Sequence, residues 1–195
     1  MADGYPVSVV IDYPDRKLNR LTSFFRVFTV IPILIVFCLL MGDGYGIGFL
    51  FLPILLMLLF RKKYPRWWYD WNFNLVGFTL RVGAYYCLLT DVYPSTDEEQ
   101  SVHLELPYPN AATELSRWLP LVKWFLAIPH IFVLIFLGLA VLVVTLIAWF
   151  AILFTGRYPR GMFDFVVNVL RWSFRVTAYA LILTTDKYPP FRLGV

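Results

Sequence analysis

Asp164, Asn168, Arg171 and Arg175 stand at spacings of four, three and four, so a helix carries all of them on one face. Asp70, Asn74 and Arg81 repeat the pattern earlier in the chain. A guanidinium presents a fork of N–H groups to phosphate or carboxylate, so such stripes could grip a lipid headgroup or a partner's acidic side chain. They could equally be the polar face of a helix lying among headgroups. The rest of the chain offers little chemistry. His103 and His130 are far apart, and no HxxxH, Cys-x-x-Cys, glycine-rich phosphate loop or Ser/His/Asp spacing occurs. No enzymatic activity, metal or cofactor is expected. Cys38 and Cys87 lie in apolar stretches and read as packing residues.

The elements that carry the stripes occur twice. Tyr13-Pro14, Pro32, Tyr64-Pro65-Arg66, Asp70, Asn74, Arg81-Val82, Ala84-Tyr85 and Tyr93-Pro94 recur in order as Tyr108-Pro109, Pro129, Tyr158-Pro159-Arg160, Asp164, Asn168, Arg175-Val176, Ala178-Tyr179 and Tyr188-Pro189, at offsets of 94 to 97 residues. This is a tandem duplication. Module 1 covers 1–94 and module 2 covers 102–195, with an acidic linker at 95–101 containing Asp97, Glu98 and Glu99.

Each module opens with a short strand, at 7–12 and 102–106, closed by Tyr-Pro because proline cannot donate to a ladder. A long apolar stretch follows, at 24–60 and 119–154. With the chain 59% hydrophobic, 15% charged and of mean hydropathy +0.67, these stretches belong in a bilayer. Gly42-Asp43-Gly44-Tyr45-Gly46 marks a turn, and each stretch reads as a transmembrane helical hairpin. Each arm is near or below the roughly 17–20 residues a span needs, so the hairpin either spans with a tilt or forms a wedge that enters and returns. Pro32 and Pro129 should kink the first arm, and Arg26 and Lys123, six residues earlier, should snorkel to the interface. The stripes fall on third helices at 67–90 and 162–185. Arginines at mid-bilayer would cost about 2.5–3.5 kcal/mol each, so these helices are expected to lie in the interface.

The fold class is therefore an all-α integral membrane protein with short β segments, in two tandem modules of strand, hairpin and amphipathic helix. Lys and Arg flank the apolar stretches at Arg16, Lys17, Arg20, Arg61, Lys62, Lys63, Arg117, Arg157 and Arg160. That placement suits membrane orientation and does not form a stripe for nucleic acid. By the positive-inside tendency the basic sides and both termini face the cytoplasm. Met1 to Pro14 lack a basic segment followed by an apolar core, so the first membrane helix is expected to direct insertion.

The run Arg117-Trp118-Leu119-Pro120, with Ile128-Pro129-His130, Gly156-Arg157-Tyr158-Pro159-Arg160-Gly161 and Tyr188-Pro189-Pro190-Phe191, resembles a bacterial family of small integral membrane proteins catalogued only as a domain of unknown function. The first half is similar more loosely, with Ile31-Pro32-Ile33 where the second has Ile-Pro-His. The resemblance implies a bacterial, multi-pass inner-membrane protein and no particular activity. Function is then expected to be that of a non-enzymatic accessory or scaffold subunit, its partners membrane lipids and other integral membrane subunits. The competing expectation is a lipid-binding protein or small transporter using the two stripes.

Overall fold

A computed structural model describes residues 5–41, 45–96, 98 and 100–194. The chain is mostly helical: β1 (Ser8–Ile11), α1 (Arg20–Phe24), α2 (Arg26–Thr29), α3 (Ile31–Met41), α4 (Tyr45–Leu56) ending in a π-helical turn (Met57–Arg61), α5 (Arg66–Tyr86), β2 (Val102–Glu105), α6 (Leu119–Thr155) and α7 (Arg160–Ala180). The two expected strands pair with each other, antiparallel. Their register sets Val9 opposite Leu104.

Pro65 and Pro159 stand immediately before α5 and α7, with φ of −65° and −61°. Proline's fixed φ and missing N–H suit a helix start, which is why each Tyr-Pro-Arg corner launches a helix. The Tyr64 and Tyr158 side chains point into the core. Both are 1% exposed, and Tyr64 donates to the Ile182 carbonyl at 2.7 Å. The third helices end at Tyr86 and Ala180, earlier than the pattern predicts, because Leu88 and Leu183 take positive φ (62° and 53°) and turn the chain away.

One expectation is corrected. The stretch 119–154 is not a hairpin: α6 runs unbroken for 37 residues, about 55 Å. Gly138 is the only glycine within it, and no Gly-Asp-Gly sequence interrupts it. Pro129 is accommodated inside α6, whereas Pro32 stands at the second residue of α3, just after the chain breaks between α2 and α3. In the first half Gly42, Asp43 and Gly44 lie outside the described residues, as do Asp97 and Glu99 of the linker.

The first-half helices run against α6 in the opposite sense. Trp149 Nε1 donates to the Ser23 carbonyl at 2.9 Å, and the Phe51 and Trp124 rings meet edge-on at 5.2 Å. The third helices double back on the apolar helices that precede them. Tyr85 of α5 meets Thr29 (Oη to Oγ1, 2.9 Å) while Phe78 meets Phe37, and Tyr179 of α7 meets Lys123 while Trp172 meets His130. α7 lies between α6 and β1, and α5 packs on α3 and β2. The main core gathers Ile54, Leu58, Ala148, Ile152, Tyr64 and Tyr158 with the strands. Along the rest of α6 Leu121, Phe125, Phe132, Phe136, Val143 and Phe154 are exposed.

A single helix and a hairpin differ in one distance. Spin labels at Leu121 and Phe154, both exposed, should lie about 50 Å apart by double electron–electron resonance. A hairpin would bring them within about 20 Å, since it returns the chain to its point of entry.

Candidate functional site

The most distinctive polar geometry is a pair of ion pairs at matching places. Arg26 Nη2 lies 2.6 Å from Asp91 Oδ1, with side chains 4% and 11% exposed. Lys123 Nζ lies 2.8 Å from Asp186 Oδ1, at 0% and 20%. In each carboxylate the second oxygen accepts a backbone N–H: Asn19 to Asp91 at 2.7 Å, and Ser116 to Asp186 at 2.6 Å. Each cation lies over the ring of the tyrosine one residue before the end of the third helix, Arg26 over Tyr85 at 3.9 Å and Lys123 over Tyr179 at 4.9 Å. Lys123 also donates to the Thr185 carbonyl at 2.7 Å.

Arg26 and Lys123 therefore do not snorkel. Each is turned inward, and each carboxylate clamps the segment after the third helix to the start of the first arm. The local reasons are plain: Asn19 caps α1 through its side chain, leaving its own N–H to the carboxylate, and the positive-φ residue after each third helix brings the aspartate back. Asp91 and Asp186 were not singled out from sequence as site residues. Their signal was available, since a basic residue inside an apolar stretch and an acid before the closing Tyr-Pro recur together in both halves.

The stripe residues do not come together as one site. Arg81 donates to the Ser95 and Thr96 carbonyls (2.9 and 3.1 Å), and Arg175 to those of Arg192 and Gly194 (3.0 and 3.2 Å). Each thus ties down the tail that follows its own third helix. Arg171 donates to the Val9 carbonyl at 2.7 Å and to Asn168 Oδ1 at 3.0 Å, fastening α7 to β1. Asp70 and Asp164 are exposed and pair with Arg66 (3.2 Å) and Arg160 (3.9 Å). Asn74 is exposed on α5.

Those first-turn arginines reach across to the other half. Arg66 lies 4.8 Å over the Tyr108 ring and Arg160 4.4 Å over the Tyr13 ring. Tyr13 donates to the Tyr158 carbonyl at 2.6 Å, and Tyr108 donates in return to the Tyr64 carbonyl. Burial holds the Tyr64 and Tyr158 phenols well above the usual tyrosine range, so they remain protonated.

His130 is fully buried; Trp172 Nε1 donates to its Nδ1 at 3.1 Å and Phe191 stacks on it at 3.8 Å. His103 pairs with Asp12 at 3.0 Å on the exposed sheet edge. Among the described residues no group of three or more His, Cys, Asp or Glu converges as a metal site would.

Residues 117–192 match the family described as Domain of unknown function (DUF4389). The DUF4389 region holds α6, α7, the Lys123–Asp186 pair and the Arg175 clamp up to Arg192, and it fits the resemblance read from the sequence. No curated protein and no solved structure matches the chain.

Removing one partner of a buried pair strands the other charge. Asp91→Ala and Asp186→Ala should each lower stability by about 3 kcal/mol, read as a fall in thermal midpoint in mild detergent. Arg26→Lys should be nearly neutral in the same assay, because Lys123 makes the equivalent pair in the other half.

Proposed function

We propose that this chain is a non-enzymatic accessory or scaffold subunit of the bacterial inner membrane, built from two like modules. The observation that carries this reading is the apolar surface of α6, a helix long and apolar enough to cross a membrane and exposed along most of its length. Asp91, Asp186, Lys123, Arg81, Arg171 and Arg175 tie the chain to itself, in ion pairs and tail clamps, which suits a scaffold better than a reaction site.

The two-module reading is supported by the reciprocity of the contacts. Tyr13 donates to the Tyr158 carbonyl and Tyr108 to the Tyr64 carbonyl across the halves, and Val9 pairs with Leu104, its own counterpart at the offset that relates Tyr13 to Tyr108. A pseudo-twofold axis through that pair relates module to module. Tyr5 near the start donates to the Lys187 carbonyl near the end at 3.3 Å, so the two termini share one face, which we take as cytoplasmic.

Within the membrane, α6 is better placed along one leaflet than across both. To span a hydrocarbon layer of about 30 Å with its whole length kept inside it, a helix of about 55 Å must tilt near 57°, beyond the usual 0–40°. Basic residues stand at both of its ends, Arg117 before it and Arg157 and Arg160 after it. A single helix held along one leaflet thus takes precedence over multi-pass insertion. Aromatic side chains such as Phe125, Phe132 and Phe136 then face lipid or the helices of a larger assembly.

Affinity purification from native membranes into mild detergent and into nanodiscs should recover a defined integral membrane partner in fixed ratio. A chain that always migrates alone contradicts the scaffold. The lipid-binding and transporter alternative rests on the stripes, and Arg81→Ala with Arg175→Ala separates the two. The scaffold reading expects weakened assembly with bound anionic lipid unchanged; lost lipid with assembly intact would favour the alternative.

A further inference from the structure

A groove of about 320 Å³ runs between the first-half helices and α6, lined by Arg26, Val27, Val30, Leu142, Leu146 and Trp149 among others. Val27, Leu142 and Leu146 are 68%, 51% and 58% exposed and form its rim; Arg26, at 4%, forms its floor. Trp149 is fixed there by its hydrogen bond to the Ser23 carbonyl. Only one of the three guanidinium nitrogens of Arg26 is used, Nη2 on Asp91; Nε and Nη1 are buried without a partner. Ser23 Oγ, one helical turn earlier and fully buried, has none either. Buried donors of this kind are unfavourable unless an acceptor meets them, and groove walls this apolar favour an acceptor that carries a hydrocarbon tail.

We propose that this groove is a binding site for a phospholipid, with a phosphate or ester oxygen on the spare N–H groups of Arg26 and an acyl chain along Val27, Leu142 and Leu146. The proposal rests on the membrane reading above and adds to it a ligand class and a place. Asp91 already balances the Arg26 charge, so the guanidinium acts as an oriented donor, and Lys17 and Arg20, at the C-terminal end of α6 that Arg157 follows, add positive charge on that side of the molecule.

The second half shows what removes the site. There Lys123 replaces Arg26 and spends its ammonium on Asp186 and Thr185, and Trp124 replaces Val27 with its ring against Phe51. A groove of about 350 Å³ on that side runs between α6 and α7 with no charged residue in its lining. The pseudo-symmetry therefore supplies two substitutions the fold already tolerates, Arg26→Lys and Val27→Trp.

The test uses the full chain in nanodiscs containing phosphatidylglycerol with a photoactivatable diazirine on its acyl chain, and peptide mapping of the crosslinks. We expect crosslinks on the segments around Val27 and 142–146, falling about tenfold in Arg26→Lys and in Val27→Trp, the first through loss of charge-assisted hydrogen bonds and the second by filling. Crosslinks at Phe132 and Phe136, which report general lipid contact, should be unchanged in both. Groove crosslinks that persist in both variants overturn the site. Displacement of the lipid by millimolar inorganic phosphate overturns it as well, because the site would then recognise a free anion. Loss of labelling at Phe132 and Phe136 in the unaltered protein would instead sink the membrane reading itself.

Discussion

The structure depends on two carboxylates, Asp91 and Asp186, buried against a cation that the apolar helices cannot otherwise hold. An unpaired Arg or Lys at 4% or 0% exposure would be prohibitive, and an unpaired carboxylate beside it nearly so. Paired, and each with its second oxygen on a backbone N–H, the two aspartates fix where the third helices end and where the first arms begin. The tyrosines Tyr85 and Tyr179 cover the cations from the other side. That arrangement holds α5 and α7 against the long apolar helices, and with them the sheet.

From this follows a layered molecule. The apolar helices, α1 to α4 and α6, present exposed Leu, Ile and Phe, while α5 and α7 separate them from the small sheet and its charged edges. Arginines that look available in the sequence are spent inside the fold: Arg81 and Arg175 on the tails, Arg171 on β1, Arg66 and Arg160 over the tyrosines of the opposite half. Arg26 is different, because its Nε and Nη1 are both buried without a partner and it lines a groove open on the exposed apolar side. Function, on this reading, resides in lipid and partner contacts along the apolar layer.

Much of this was legible in the sequence. The strands, the Tyr-Pro-Arg corners before α5 and α7 and the third helices follow from proline chemistry, β-branched runs and helical spacing, and the recurring motifs made each visible twice. The continuous α6 was not legible. An apolar run of this length has no polar periodicity to say whether it folds back, and Pro129 looks like a break although its helix neighbours absorb it. The ion pairs were missed for another reason: their partners are separated by 65 residues in one half and 63 in the other, and snorkelling is the ordinary fate of a cation near a bilayer. The stripe residues lie on α5 and α7, but spacing alone cannot show that a backbone carbonyl lies within reach of each arginine.

The most direct test of the account is the depth of α6 in a bilayer. Nitroxides placed singly at Leu121, Leu139 and Phe154 of the reconstituted protein report depth through their relative accessibility to oxygen and to a water-soluble relaxation agent. The account predicts that all three sit in the same leaflet, with the two ends level with each other and none beyond the midplane. A steady progression from one membrane surface at Leu121, through the centre at Leu139, to the opposite surface at Phe154 would contradict it.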